Sequence, residues 1–209
     1  MRRALLLLTS LLVLLATAAP VAAATEHFRY KVHGSGAWAS GVLYLDGRFE
    51  AVWIEIGDEA TDASDGQTYL RYVLFEHLLE TCDDKGCVQT YTAGWAEDVP
   101  FTLDRKKMTT AVVDIEVPAI RCVEDATTSS CFEVSVPVQV QWSGYGPFIR
   151  SHGTSTGGIA GEYQYTLNGA ATERWATVTG TVAGMDLEAA GSIGALYKTR
   201  VAERTVTHQ

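Results

Sequence analysis

Residues 132–143 read FEVSVPVQVQWS, in which apolar and polar side chains alternate without a break. The apolar set is Phe132, Val134, Val136, Val138, Val140 and Trp142. A repeat of two residues is the pattern of a β-strand that buries one face. The stretch therefore predicts an all-β fold.

An upstream stretch, residues 111–119, has the same alternation and is predicted to pair with this strand. If Cys122 lies opposite Cys131 in an antiparallel hairpin, each apolar residue meets an apolar residue, ending with Ala111 opposite Trp142. A shift by one residue would set valines against glutamate and glutamine. The sequence therefore predicts this register.

Pro118 and Pro137 provide a test of the same register, because proline has no N–H for a ladder hydrogen bond. Opposite pairs in an antiparallel hairpin alternate between hydrogen-bonded and non-hydrogen-bonded. Each proline lies an even number of residues from the cysteine of its own strand, so both prolines belong to pairs of the same kind as the cysteine pair. If these pairs are not hydrogen-bonded, both proline nitrogens point out of the hairpin. Each proline then leaves a gap on the outer side of its strand, so we expect a sheet edge or a bulge there.

The chain begins with the features of a secretory signal peptide. Two arginines precede an apolar run over residues 4–16, and Ala22 and Ala24 are the small residues that signal peptidase requires. We expect cleavage after Ala24, with the preceding alanine as the alternative. Residues 1–24 would then be removed, and residues 25–209 would form a single secreted, extracellular domain without a membrane anchor.

Charge and histidine spacing limit the partners. The formal net charge is −9 at pH 7, whereas nucleic acids and anionic membranes are bound by basic surfaces. The five histidines show no metal-ligand spacing. We therefore expect no nucleic-acid partner, no resident metal and no cofactor.

Several other segments predict strands and turns. Asp46-Gly47 has the composition of a two-residue hairpin turn between two alternating runs. Residues 69–79 are apolar on both faces, and their aromatic and β-branched content favours an interior strand over the competing helix. Nine to eleven short strands favour an antiparallel β-sandwich, immunoglobulin-like or jelly-roll-like, with a barrel as the second choice.

Glycine-containing segments predict interruptions between strands. The interruptions expected in this way are Gly34-Ser35-Gly36, Gly157-Gly158 and Asn168-Gly169. The segment Gly57–Gly66 collects acidic and small residues and is expected to form an exposed loop. Its carboxylates could ligate calcium through oxygen, although the spacing is not that of an EF-hand loop and a solvated acidic loop is the simpler interpretation. The candidate ligands are Asp58, Glu59, Asp62 and Asp65.

Four cysteines in a secreted chain predict two disulfides, for which three pairings are possible. We predict that sequence neighbours pair, so that Cys82 joins Cys87 and Cys122 joins Cys131. Each bond would then close a short hairpin. The alternative, a zinc site, is disfavoured because the spacings fit no common zinc pattern and the compartment oxidises thiols.

Gly153–Gly157 matches the G-x-S-x-G pattern of serine hydrolases and follows His152. In those enzymes the serine sits on a sharp turn from a strand into a helix. Here further glycines follow instead of a helix, so we interpret the match as a polar strand end. A hydrolase stays an alternative if carboxylates such as Asp62 or Asp65 converge with Glu97 in space.

Five tryptophans and nine tyrosines raise the possibility of a surface that stacks against sugar rings. Most of these aromatic residues alternate with polar residues inside strands, as Trp142 does, and this pattern favours core positions. Tyr145, in a glycine-rich turn, is the aromatic residue most expected at the surface.

The run Val138–Pro147 ends in Trp142-Ser143-Gly144-Tyr145-Gly146-Pro147, follows a cysteine hairpin, and precedes a closing strand that starts at Ile193-Gly194. In these features the last half of the chain resembles a group of uncharacterised secreted bacterial all-β proteins. The resemblance implies no activity and transfers no site residue.

Because no catalytic constellation emerges, the leading hypothesis is a non-catalytic module that binds extracellular carbohydrate, cell-wall material or a protein, by analogy with other sandwiches. The first alternative is the hydrolase with converging carboxylates. The second is a structural or interaction protein that uses the sheet edge expected near Pro118 and Pro137.

Overall fold

The structure, a computed structural model, describes residues 27–63, 66–159 and 162–207. Its strands are β1 (His27–Leu45), β2 (Arg48–Ala63), β3 (Gly66–Asp83), β4 (Gly86–Glu97), β5 (Phe101–Leu103), β6 (Thr110–Glu124), β7 (Ser129–Gly144), β8 (Ile149–Ile159), β9 (Tyr163–Val182), β10 (Met185–Asp186) and β11 (Ile193–Thr207). The predicted all-β class is confirmed. No helix in the described part of the chain is long and apolar enough to cross a membrane. The expected signal peptide, residues 1–24, lies outside the described residues.

Eight of the strands pair side by side in a ring-like order, and all their pairings are antiparallel. From β1 the order runs through β2, β3, β4, β6, β7, β9 and β11, which pairs again with β1. The short strands β5 and β10 pair with β6 and β9, and β8 also pairs with β9. The arrangement is ring-like but is not a barrel, and the division into two packed sheets stays a prediction.

The hydrophobic core lies inside the ring, on the face where every second side chain of a strand points inward. Trp142 on β7 heads the fully buried side chains by volume. Its Nε1 donates a hydrogen bond to the main-chain oxygen of Trp38 on β1, at 2.9 Å. Gly194 leaves room for this contact, since a Cβ there would lie 2.6 Å from the same oxygen and 3.3 Å from Cδ1 of Trp142. One indole therefore crosses the interior from β7 to β1.

The β6–β7 hairpin has the predicted register, from the pair of Cys122 and Cys131 to the pair that includes Trp142. The disulfides are also those predicted: Cys82 is bonded to Cys87, and Cys122 to Cys131. The two Cα atoms of each disulfide are 4.0 Å apart, which matches the close approach of a non-hydrogen-bonded pair.

The two prolines mark the places where pairing with the next strand ends, as expected. Strand β4 pairs with β6 as far as Ala119, next to Pro118. Strand β9 pairs with β7 from Val138 onward, next to Pro137. Proline without an N–H thus sits where its strand has lost its outer neighbour.

Two further predictions for the first half of the chain are confirmed. Leu45 pairs with Arg48, so Asp46-Gly47 is a two-residue hairpin turn. Strand β3, which includes residues 69–79, is an interior strand with β2 and β4 as its neighbours.

The predicted interruptions at glycine are wrong, because β1, β8 and β9 each run through them. The structure shows why two of them are not breaks. Gly36 lies opposite Tyr197, and Gly157 lies opposite Tyr165. A Cβ at either glycine would lie 2.6 Å from the tyrosine hydroxyl oxygen. Glycine therefore leaves space for a tyrosine ring that lies across it, as in other cross-strand pairs of glycine with an aromatic residue.

The exposed loop predicted over Gly57–Gly66 is also wrong. Strands β2 and β3 stay paired through this segment, as far as Ala63 opposite Gly66. The acidic residues of β2 therefore alternate between two faces of a strand and do not gather in a loop. Residues 64 and 65 lie outside the described residues.

Candidate functional site

Four of the five tryptophans lie on the outer face of the ring, and only Trp142 is in the core. Trp38, Trp53, Trp95 and Trp175 each alternate with inward-facing residues of their strand. Trp95 and Trp175 are each 40% exposed. None of the nine tyrosines is fully buried either. The prediction that most of these aromatic residues are core residues is therefore wrong.

Cross-strand pairing sets the outer aromatic residues in two neighbouring rows. The first row is Trp175, Ala195, Trp38, Glu55, Leu74 and Trp95. The second row is Glu173, Tyr197, Gly36, Gly57, Tyr72 and Glu97. Each row crosses β9, β11, β1, β2, β3 and β4, which at the usual strand spacing is a length of about 24 Å. We call Trp38, Tyr72, Trp95, Trp175 and Tyr197 the aromatic strip.

Two glycines in the middle of the second row let the tyrosine rings lie across the sheet. A Cβ at Gly57 would lie 2.6 Å from Cζ of Tyr72, just as one at Gly36 would meet the hydroxyl of Tyr197. Larger residues at these positions would push both rings away from the strands. The sequence thus places two adjacent glycines between the two tyrosines of the row, so that each ring can lie over a residue without a side chain.

The rings of the strip also contact one another. Tyr72 stacks on Trp95 with ring centres 5.0 Å apart and an angle of 12° between the planes. Trp38 meets Trp175 edge to face, with ring centres 6.4 Å apart. These are favourable arrangements of aromatic pairs, and they fix the rings before any ligand arrives.

Glu55 lies at the centre of the strip and accepts hydrogen bonds from two of its tyrosines. The hydroxyl of Tyr72 donates to Oε1 of Glu55 at 2.9 Å, and the hydroxyl of Tyr197 donates to the same oxygen. Burial, followed by the negative charge of Glu55, raises the pKa of both tyrosines above the ordinary value. Both hydroxyls therefore keep their protons and hold the carboxylate in place.

The outer end of the strip, at Trp95, adjoins a groove of about 720 Å³. Its walls include Trp95, Pro118, Glu116 and Glu133. The groove opens where the pairing of β4 with β6 stops at Pro118, so the proline that ends the pairing also shapes the surface. Beside it, Nε1 of Trp95 donates to Oε1 of Glu97 at 3.1 Å.

The predicted calcium ligands do not gather into a site. Asp58 is buried, and its carboxylate accepts hydrogen bonds from Arg105 and from the hydroxyl of Tyr69. Glu59, the next residue of β2, points to the opposite face of the strand. No group of three or more histidine, cysteine, aspartate or glutamate side chains in the described ranges could hold a metal ion. The remaining candidates are Asp62, which is exposed on β2, and Asp65, which lies outside the described residues.

The carboxylates considered for a hydrolase are also separated. Glu97 lies opposite Tyr72, which lies opposite Gly57. Asp62 lies five residues beyond Gly57 on β2, which is about 17 Å along the strand, and it points to the other face. Asp65, the alternative partner for Glu97, lies outside the described residues.

The G-x-S-x-G match lies within β8. Ser155 is opposite Leu167 of β9, and His152 is exposed. A serine in the middle of a paired strand does not have the strand-to-helix turn that the motif requires. The sequence predicts a polar strand end, and the structure places the match in a strand, but inside β8 and not at its end.

Sequence reasoning missed the aromatic strip, although part of its signal is visible in the sequence. Trp38 stands between Ala37 and Ala39, and both alanines are fully buried. A pattern of small, large, small residues in a strand can place the large residue outward when the interior is narrow. No family model, curated protein or solved structure matches the chain.

Proposed function

We propose that this protein is a secreted, non-catalytic carbohydrate-binding module whose aromatic strip stacks against sugar rings. The observation that carries the proposal is the arrangement of five aromatic side chains around Glu55 on one outward face. Sugar rings present C–H groups on their faces and hydroxyl groups at their edges. Aromatic faces suit the first, and carboxylate oxygens accept hydrogen bonds from the second.

The shape of the strip favours a chain of sugars over a single sugar. Its rows cross six strands over about 24 Å, and the surface continues into the groove beyond Trp95. The rings at the two ends, Trp95 and Trp175, are the more exposed members. Exposed tryptophans held in place by their neighbours are typical of binding surfaces.

Secretion and a sandwich-like architecture form part of the same proposal. Two disulfides are compatible with an extracellular protein. Trp142 spans the interior from β7 to β1, which supports a flattened ring with two packed layers. In that architecture an outer sheet face is free to bind a ligand.

Retention on insoluble polysaccharides tests the proposal. The purified mature protein is mixed with a panel of such materials, and the fraction removed from solution is measured. We expect Trp95→Ala and Trp175→Ala each to weaken retention about tenfold, the effect of losing about 1.4 kcal/mol at a binding hot spot. The matched control is Tyr145→Ala, since Tyr145 is 53% exposed in the turn after β7, outside the strip. The proposal is ruled out if neither tryptophan substitution weakens retention, or if the protein is retained on none of the materials.

A second candidate, a protein-interaction module, is favoured by the two sheet edges at the prolines. In the described part of the chain, β7 pairs on its outer side only from Val138 onward, and β4 leaves β6 at Ala119. Backbone groups beyond these points can pair with an added strand. Dimers that form with rising concentration and that disappear on substitution within residues 129–136 would support this candidate.

A further inference from the structure

The charged side chains of the outer face are all acidic. Outward positions of the ring strands carry Glu55, Glu59, Glu76, Glu80, Glu97, Asp114, Glu116, Glu124, Glu133, Glu173 and Glu203. Along the ring strands within the described ranges, no lysine or arginine occupies an outward position. The sheet therefore separates its charges by face.

The basic residues of these strands share the side-chain direction of the core residues. Arg71 alternates in step with Phe75 on β3, Arg121 with Val117 on β6, and Lys198 with Leu196 on β11. Several arginines have partners there: Arg48 lies 2.6 Å from Glu50, Arg71 lies 3.6 Å from Asp58, and Nε of Arg121 donates to Thr92 at 3.2 Å. None of these charges is offered on the outer face.

We infer that the ligand of the aromatic strip is a polysaccharide that carries ammonium groups, a deacetylated amino-sugar polymer such as chitosan. This inference rests on the proposed carbohydrate-binding function and adds the charge of the ligand. Glu97 and Glu173 are the two end residues of the second row, and Glu55 lies in the middle of the neighbouring first row. Glu116 and Glu133 continue the acidic surface into the groove beyond Trp95.

The aromatic side chains of the strip and the carboxylates beside them both favour an ammonium group on a sugar. Carboxylates make charge-assisted hydrogen bonds to it, which are stronger than those to a hydroxyl. Tryptophan and tyrosine faces attract cations through their ring electrons, most strongly for tryptophan. A polysaccharide with carboxylate or sulfate groups would meet only like charge on this face.

The test compares chitosan with the same chitosan after chemical N-acetylation, a step that removes the charge and keeps the sugar backbone. Dissociation constants are measured from depletion isotherms at low salt and mildly acidic pH, where the amino groups of chitosan are protonated and free carboxylates remain ionised. We expect acetylation to weaken binding about tenfold, as the combined loss of several exposed ion pairs. We also expect the difference to shrink in about 1 M salt, where the screening length is about 3 Å.

Two kinds of variant separate recognition from simple ion exchange by an acidic protein. Glu97→Gln keeps an acceptor for Nε1 of Trp95 and removes a charge, so binding to chitosan should weaken about two- to fivefold. Asp84→Asn, in the turn between β3 and β4, removes one charge outside the strip and should have no effect. Trp95→Ala, which changes no charge, should weaken binding to chitosan about tenfold.

The possible failures are distinct. Equal or tighter binding to the acetylated polymer overturns the inference and leaves the carbohydrate-binding function standing. The inference is also overturned if Trp95→Ala leaves binding to chitosan unchanged, or if Asp84→Asn weakens it as much as Glu97→Gln does. In either case the protein binds chitosan simply as a polyanion. No retention on either polymer or on any neutral polysaccharide overturns both proposals.

Discussion

The inner and outer faces of the same strands carry different kinds of side chain. The inner face is filled with aliphatic side chains, such as Ile54 and Val138, around the fully buried Trp142. The outer face carries partly exposed tryptophans and tyrosines with glutamates between them. Because side chains alternate along a strand, each substitution can affect one face without reaching the other. Under the proposed function, the inner face supplies stability and the outer face binds the ligand.

The two faces also fix their aromatic residues by different means. Trp142 is held by packing and by its hydrogen bond to the main chain of Trp38. Tyr72 and Tyr197 are held by Glu55 and by the glycines beneath them. On the inner face, the stability lost on substitution depends on how densely the core is packed. On the outer face, it depends on the hydrogen bonds of the rings and on the small residues beneath them.

The largest expected effect is on the inner face. Trp142→Ala should lower the free energy of unfolding by about 3–5 kcal/mol, because it leaves a cavity and removes the hydrogen bond to Trp38. Unfolding in urea measures the loss, and Trp175→Ala serves as the matched tryptophan on the outer face. Equal losses from the two substitutions would contradict the division between the faces.

The inner face also contains a buried polar pair, whose removal should rank second. Nε2 of His77 lies 2.8 Å from Oε1 of Glu50, and Arg48 contacts the other oxygen of Glu50 at 2.6 Å. His77→Leu should cost about 1–3 kcal/mol of unfolding free energy, because it leaves a buried carboxylate oxygen without its partner.

The double variant Glu50→Leu with His77→Leu provides the control for that effect. If the cost comes from the unpaired carboxylate, the double variant should lose less stability than the sum of the two single variants. Additive losses would show that the two side chains contribute through packing alone.

The contrast between the faces also explains how much of the fold the sequence predicts. On β7, and on the middle of β6, most outward residues are polar, so the alternation identifies the strands. Cys122 and Cys131 fix the register to the residue. Prolines add the positions where pairing ends. Each of these signals is local and has one physical meaning.

The aromatic strip could not be predicted in the same way. On β1 to β4 both faces carry apolar residues, so alternation does not identify the face that is buried. The glycines that make room for Tyr72 and Tyr197 read as breaks, because their partners are distant in sequence. Tyr197 and Glu55, for example, meet only when β11 pairs with β1 beside β2.

Alkaline pH should affect the outer face selectively. In the unfolded chain a tyrosine loses its proton near pH 10, whereas in the folded protein the raised pKa values of Tyr72 and Tyr197 keep theirs. Above about pH 10 the unfolded state binds fewer protons than the folded state, so stability falls as pH rises, by up to about 1.4 kcal/mol per pH unit for each tyrosine.

Urea unfolding between about pH 9 and 11 measures this slope. Tyr197→Phe should reduce the slope, even though it also lowers stability at neutral pH. A slope that is unchanged in Tyr197→Phe and in Tyr72→Phe would assign the alkaline loss to other groups.

The smallest expected change in stability is that of Trp95→Ala, and it is the sharpest test of the comparison. Trp95 is 40% exposed, and its main loss is the stacked contact with Tyr72 at 5.0 Å. An aromatic pair of this kind is worth about 1 kcal/mol, so the free energy of unfolding should fall by no more than roughly that amount. Urea unfolding of Trp95→Ala and of Trp142→Ala gives the two losses of unfolding free energy, which can then be compared directly. A loss near 3 kcal/mol would mean that the outer rings stabilise the fold as core residues do, and their exposure would then no longer favour a binding role.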